Sequence, residues 1–244
     1  MKIVVIGGTG LIGSQVVTRL GEAGHQAVAA APSTGVDTVT GEGLEDVVRG
    51  ADVLVDVANS PSFADDDVLE FFRRSTGNLV RAARNAGHYV ALSVVGADRL
   101  PDSGYLRAKV AQEELIVAAG LRHSIVRATQ FLEFAAGIAD SATVDGVVRL
   151  PGAGVQPIAA ADVAAVVART AVGEPVGGIA EIGGPEVLAM DEWVRAVLVA
   201  RSDSRAVVAD PEAQYFGTVL EKDSLLPGPD AQLGKIGLTE WLAR

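Results

Sequence analysis

Tyr105 and Lys109 stand four residues apart in Tyr105-Leu106-Arg107-Ala108-Lys109, a spacing that places a phenol and an ammonium on one face of a helix. A cation beside a phenol favours the phenolate, which lowers a tyrosine pKa from about 10 toward the range useful for moving a proton. Ser93 ends the preceding apolar run, twelve residues earlier, and adds a hydroxyl. A second constellation opens the chain, where the run Lys2 to Ile6 leads into Gly7-Gly8-Thr9-Gly10-Leu11-Ile12-Gly13 and then a helical pattern. Gly8, Gly10 and Gly13 fit one binding spacing, and Gly7, Gly10 and Gly13 fit another. Either lets the backbone turn tightly and approach a pyrophosphate whose charge rests on the N-terminus of the following helix. The two constellations together are a proton-handling pair and a dinucleotide cradle.

The elements that must position them follow from the hydrophobic pattern. Nearly continuous apolar runs predict strands at 2–6, 26–31, 52–57, 88–94 and 123–127, as expected where helices cover both faces of a sheet. Helical patterns at 11–23, 43–49, 67–86 and 104–119 alternate with them, stopped by Gly24, Gly50, Gly87 and Gly120. This alternation predicts an α/β fold, a Rossmann-type doubly wound parallel sheet. Past residue 128 the rhythm loosens, with helices expected at 160–171, 190–201 and 238–243 and a strand at 178–182. We therefore read 1–128 as the dinucleotide-binding core and 129–244 as a small C-terminal substrate lobe, packed on it as one structural unit. Ligands of such sheets lie at the carboxyl ends of the strands, so the lobe would close over that edge.

Composition narrows the functional classes. The 244 residues are 49% hydrophobic, which excludes disorder. Lys and Arg total 20 against 31 Asp and Glu, for a formal charge of −11, and no basic stripe is present to neutralise nucleic-acid phosphates or an anionic membrane. There are no cysteines and only three histidines, so thiolate chemistry and cysteine metal sites are excluded and no metal is expected. No apolar run is long enough to span a bilayer, and a cytoplasmic location is expected. His25, His88 and His123 open strands and read as surface or edge imidazoles. Asp65-Asp66-Asp67 reads as the cap of the helix beginning near 67. Phe71, Phe72, Phe131 and Phe134 read as core, the last two also as pocket lining.

The residue that selects NAD or NADP should lie at the end of the second strand, where the chain reads Ala30-Ala31-Pro32-Ser33-Thr34, with no acid before Asp37 and no arginine. Ser33 and Thr34 tolerate a 2′-phosphate without repelling it, which leans the reading to NADP(H); a plain turn after the strand is the alternative.

Taken together, the glycine loop, Ser93 and the Tyr105/Lys109 pair resemble the short-chain dehydrogenase/reductase superfamily, and most of all its atypical NmrA-like, NAD(P)H-binding branch. The resemblance continues through Ile125-Val126-Arg127 leading to Phe131 and Glu133, Ala161-Asp162-Val163-Ala164, and Gly183-Gly184-Pro185-Glu186 before Asp191, and so covers most of the chain to about residue 195. It implies that Tyr105 exchanges the proton at the substrate oxygen, that Lys109 holds the nicotinamide ribose and tunes Tyr105, and that Ser93 orients the carbonyl. Asn59 would border the cofactor, and Asn78 is the nearest counterpart to the superfamily's relay asparagine, with a buried structural amide as its alternative. The implied activity is NAD(P)H-dependent reduction of a carbonyl or quinone on a small aromatic or apolar substrate. Variants are a monooxygenase-type outcome in aromatic polyketide tailoring, and a redox sensor that binds dinucleotide for a regulatory partner. A nucleotide-sugar epimerase is a third class, for which the chain is short. A homodimer is the expected assembly.

Overall fold

In the computed structural model, which describes residues 1–244, the first half of the chain alternates as the apolar runs predict. Strands β1 (Lys2–Ile6), β2 (Gln26–Ala30), β3 (Val53–Asp56), β4 (His88–Val94) and β5 (His123–Ala128) are interleaved with α1 (Leu11–Glu22), α2 (Leu44–Val48), α3 (Asp65–Ala82) and α4 (Gly104–Ala118). Beyond them come α5 (Ala135–Ser141), β6 (Thr143–Val144), β7 (Val147–Leu150), β8 (Gly154–Val155), α6 (Ala160–Val172), β9 (Gly178–Gly183) and β10 (Leu188–Ala189). The chain ends with α7 (Met190–Ala200), β11 (Ala206–Ala209), β12 (Gln214–Tyr215), β13 (Thr218–Val219), β14 (Gln232–Leu233) and α8 (Leu238–Leu242).

Seven strands form one parallel sheet in the order β14-β9-β5-β4-β3-β1-β2. Alternate side chains divide its two faces. Ile3 and Val5 of β1 pack with Val16 and Leu20 of α1 and with Val163 and Val167 of α6. Val4 and Ile6 face the other way, onto Leu79 of α3 and Ile116 of α4. Burial on both faces is why the strands read as unbroken apolar runs. A third cluster, built on Leu106, Leu132, Val148, Trp193 and Val197, joins the later elements to α4. The part of the chain after residue 128 contributes β9 and β14 to the central sheet as well as the elements over its edge.

Several local readings are corrected. Helix α3 starts at Asp65 with all three acids in its first turn and no side-chain cap at Ala64, so they meet the helix dipole rather than cap it. It stops at Ala82 and passes into a 3₁₀ turn over Ala83–Asn85, short of the expected 86. His25 is half-buried, but His88 and His123 are buried, because the strands they open are interior ones; His88 Nε2 lies 2.8 Å from Ser124 Oγ. No helix is long and apolar enough to cross a membrane.

Three acids from the later motifs tie down the C-terminal segment. Glu133 accepts from the Ala160 amide at the start of α6 and from Trp241 Nε1 at 3.0 Å. Asp162 accepts from the amides of Lys235 and Ile236 at 2.7 and 2.9 Å, and Glu186 from that of Leu238 at 3.0 Å.

Candidate active site

The strand order reverses at β1, with β3 on one side and β2 on the other, which opens a crevice at their carboxyl ends. The glycine loop lies in it. Gly7 has φ +75°, a left-handed conformation, and a Cβ there would sit 2.9 Å from the Ala58 nitrogen beyond β3. At Gly8 a Cβ would fall 2.6 Å from the Val5 carbonyl oxygen, and at Gly13 2.1 Å from that of Gly7. Gly10 has more room, with its nearest contact at 3.3 Å. Thr9, Gly10 and Leu11 are exposed at the mouth of the crevice, whereas Ile12 is buried against the sheet. The first amides of α1 have no intrahelical partners and point to the space above the loop. A Cβ at Gly8 would strike Val5 and Ala29 beneath the loop and one at Gly13 the loop backbone itself, so glycine at both positions lets the turn lie this close to the start of α1, an arrangement that fits a dinucleotide pyrophosphate.

The two hydroxyls after β2 behave differently. Thr34 Oγ1 accepts from the Ala31 amide and donates to the Ala31 carbonyl, both at 2.9 Å, and so closes its own turn. Ser33 is exposed, with its Oγ 3.4 Å from Thr9 Oγ1, and faces the glycine loop.

Helix α4 carries Tyr105 and Lys109 one turn apart, but their side chains diverge. Lys109 is buried at 3% exposure, with Nζ donating to the Leu92 carbonyl at 2.9 Å and to Gln112 Oε1, and lying 4.4 Å from the centre of the Phe72 ring. Burial lowers its pKa to about 8, opposed by the nearby carboxylates of Asp56 and Glu113. Asp56, at the end of β3, is itself buried and accepts from Gln112 Nε2 at 2.9 Å and Tyr89 Oη at 3.1 Å; burial pushes its pKa up. Lys109 thus belongs to a polar floor under the crevice. The expectation that it lowers the Tyr105 pKa is corrected: burial among aromatic rings pushes that phenol up to about 12, with the Asn59 side chain pulling it back.

Tyr105 instead meets rings. Phe63 stands edge-on to it with centroids 5.3 Å apart, and Phe216 stacks on it at 5.1 Å with planes 27° apart. Tyr215 joins the group edge-on to Phe216 at 4.8 Å. Phe216 and Gly217 turn the hairpin between β12 and β13 at φ 46° and 79°, a conformation that favours glycine or asparagine at both positions. Phe131 and Phe134, which follow Gln130 in the chain, pair at 5.2 Å, and Phe134 remains 48% exposed.

Ser93 is not brought to this cluster. Its Oγ is buried and donates to Glu113 Oε1 at 2.5 Å, and the same carboxylate takes both Arg127 Nε and Nη2, at 2.9 and 2.6 Å. The expected carbonyl-orienting hydroxyl is therefore committed to a buried ion pair. Asn78 is also placed elsewhere: its amide donates to the Thr38 and Val39 carbonyls at 2.8 and 3.1 Å, the structural role given above as its alternative. Asn59 is exposed beyond β3, next to Ala58, whose backbone lies against Gly7, and its side chain reaches Tyr105. The sequence reading did not include Phe63, Gln130, Tyr215 or Phe216. The only local signal for the hairpin was the Phe216-Gly217-Thr218 turn after Tyr215.

No family model matches the chain. A curated sequence relative is the (4-alkanoyl-5-oxo-2,5-dihydrofuran-3-yl)methyl phosphate reductase of Streptomyces griseus, 29% identical over an alignment of 209 positions that covers 78% of this chain and 70% of the relative. Among solved structures, the UDP-glucose 4-epimerase of Thermus thermophilus in complex with NAD aligns over 93% of this chain and 92% of its own, with a TM-score of 0.70 and 19% identity. A dTDP-4-dehydrorhamnose reductase from Clostridium acetobutylicum aligns over 99% and 91%, with a TM-score of 0.69 and 14% identity. The structural likenesses show the fold, and the curated relative is a reductase. The Rossmann-type fold is borne out, and the reading of the sequence as a reductase agrees with the curated relative's activity.

Proposed function

We propose that this chain, of the short-chain dehydrogenase/reductase type, is an NAD(P)H-dependent oxidoreductase that reduces a carbonyl or quinone on an apolar or aromatic substrate, with Tyr105 as the general acid. The observation that carries the reading is the position of Tyr105, a half-buried side chain held between Phe63 and Phe216, with Tyr215 packed behind Phe216, on the helix beside the glycine-loop crevice. When bound, the nicotinamide cofactor supplies the hydride. The glycine loop and the start of α1 hold its pyrophosphate, and Ser33 borders the ribose, which supports NADP(H) over NAD(H). Tyr105 stays protonated at neutral pH and donates its proton to the oxygen on which negative charge develops. Lys109 reaches the ribose by leaving the Leu92 carbonyl, which also brings its charge toward the phenol and lowers the cost of that donation.

The aromatic walls support a flat substrate. The curated relative's substrate, by its name, is an unsaturated oxo-furan bearing an alkanoyl group; a quinone presents the same conjugated carbonyl to a hydride. Its phosphate is not carried over, because the side chains around Tyr105 are rings and amides. Addition of oxygen to a ring carbon of the reduced quinone, with one oxygen atom kept as a hydroxyl on the re-formed quinone and the other released as water, would give the monooxygenase-type outcome expected for polyketide tailoring of the NmrA-like branch. We place the protein in the cytoplasm, acting on a small molecule as a homodimer.

A second reading, the dinucleotide sensor, draws on the inward seat of Lys109 and the commitment of Ser93 to Glu113. Titration of the protein with NADPH and NADH, followed by oxidation of the bound form with a quinone panel, separates the two. Turnover supports the reductase, and binding without turnover on any acceptor supports the sensor.

A further inference from the structure

Gln130 follows β5 at the carboxyl edge of the sheet and is 6% exposed. Its backbone is fixed, with the carbonyl accepting from the Ile158 amide at 2.8 Å and its neighbour Thr129 donating to the Gln156 carbonyl at 2.6 Å. Its side chain has no such anchor. Neither Oε1 nor Nε2 has a hydrogen-bond partner, although both are fully enclosed. The amide does face the Tyr215 hydroxyl, close enough to bias that phenol toward ionisation yet out of bonding alignment. A buried primary amide carries two donors and an acceptor, and leaving them all unmet is costly. Most such groups in folded proteins are paired, so an exception needs a reason.

The cover over Gln130 is unusual as well. Tyr215 and Phe216 sit on a hairpin of two-residue strands whose tip holds Phe216 in a left-handed conformation at φ 46°. The strain of that backbone is held in place by stacking on Tyr105 and by a tilted ring contact with Phe63. A flat ligand that takes the place of the Phe216 ring would retain the stacking and release the strain.

We propose that Gln130 is a specificity-determining residue of the Tyr105 site: its amide pairs with a ring hydroxyl on the substrate, separate from the conjugated carbonyls, once the ring carrying it replaces Phe216 against Tyr105. This rests on the reductase reading for its site and deepens it to a substrate class, planar conjugated carbonyl compounds bearing a ring hydroxyl. The amide then finds in the bound ligand the partner it lacks in the free protein.

The test uses 1,4-naphthoquinone and its 2-hydroxy and 5-hydroxy derivatives as probes, on the full chain and on Gln130→Leu. Binding is measured calorimetrically with the dinucleotide present, and turnover as quinone-dependent oxidation of NADPH. The wild type is expected to bind at least one hydroxylated quinone about tenfold more tightly than the parent, the worth of one well-made hydrogen bond. Gln130→Leu is expected to erase that ratio while holding the parent quinone within about twofold, and to raise Tm by a few degrees, because an unmet amide is replaced by a methyl pair of similar size. Equal binding of parent and hydroxylated quinones by the wild type, retention of the preference in Gln130→Leu, or binding of no quinone at all would overturn the proposal. A fall in Tm would also overturn it, since it would show the amide to be a structural bond. If the quinones bind with the expected ratio but none is turned over, the reductase reading fails while the assignment of Gln130 stands on the binding ratio.

Discussion

Lys109 Nζ is turned beneath α4 onto the carbonyl oxygen of Leu92, at 2.9 Å, although Tyr105 stands one turn before it on the same helix. The ammonium is buried and its pKa is lowered to about 8. Between that value and the ordinary lysine value of 10.5, the unfolded chain holds a proton that the folded chain has released. Stability therefore rises with pH across this window and is flat, for this group, on either side of it.

The first prediction follows. The difference in stability between wild type and Lys109→Met should change by about 2–3 kcal/mol from pH 8 to pH 10.5 in favour of the wild type. Denaturant titrations of both proteins across that range measure it; parallel pH curves would show that Lys109 titrates as an ordinary lysine.

Ser93 gives the second prediction. With its hydroxyl committed to Glu113, Ser93→Ala is expected to cost about 1–2 kcal/mol of stability and to leave kcat/KM within about threefold. Glu113→Ala leaves Arg127 buried with only Asp98 as an ion partner, at 2.9 Å, and is expected to cost about 3–5 kcal/mol. A fall of about a hundredfold or more in kcat for Ser93→Ala at unchanged stability would restore the carbonyl-orienting role.

The third concerns the glycine loop. A Cβ at Gly13 meets the Gly7 carbonyl oxygen at 2.1 Å, so Gly13→Ala must displace the loop, at a cost of about 3 kcal/mol and about a hundredfold in dinucleotide affinity. Gly21, on the same helix, has nothing within 4 Å of its Cβ direction. Gly21→Ala is expected to gain about 0.5–1 kcal/mol and to leave dinucleotide binding unchanged. Thermal melts and cofactor fluorescence titrations of the pair check both halves; equal affinity in the two variants would remove the loop from the cofactor site.

The core elements were legible because their signals are local. The run from Lys2 to Ile6, the glycine stops after α1 and α4, and the apolar strands need only neighbouring residues to be read. The direction of the Lys109 side chain was not, since four-residue spacing fixes which helix face the Cα occupies. Its long flexible stem is directed by Leu92 and Asp56, which lie on other strands, together with Gln112 on the next turn of the helix. Ser93 was drawn away by Glu113, twenty residues along the chain, for the same reason. The aromatic cover over Tyr105 lies in strands of two residues each, too short for any periodicity, and its turn holds a phenylalanine where glycine or asparagine would have marked it. Gln130 carried no sequence signal at all; its lack of partners is a property of the packed structure.

The claim that Tyr105 is the general acid is tested most directly by comparing wild type and Tyr105→Phe for NADPH binding and for NADPH oxidation with a quinone panel. The account predicts that the substitution leaves the dinucleotide affinity within about twofold and lowers kcat about a hundredfold or more, the usual worth of a positioned proton donor. Turnover by the wild type that is undiminished in Tyr105→Phe would contradict it.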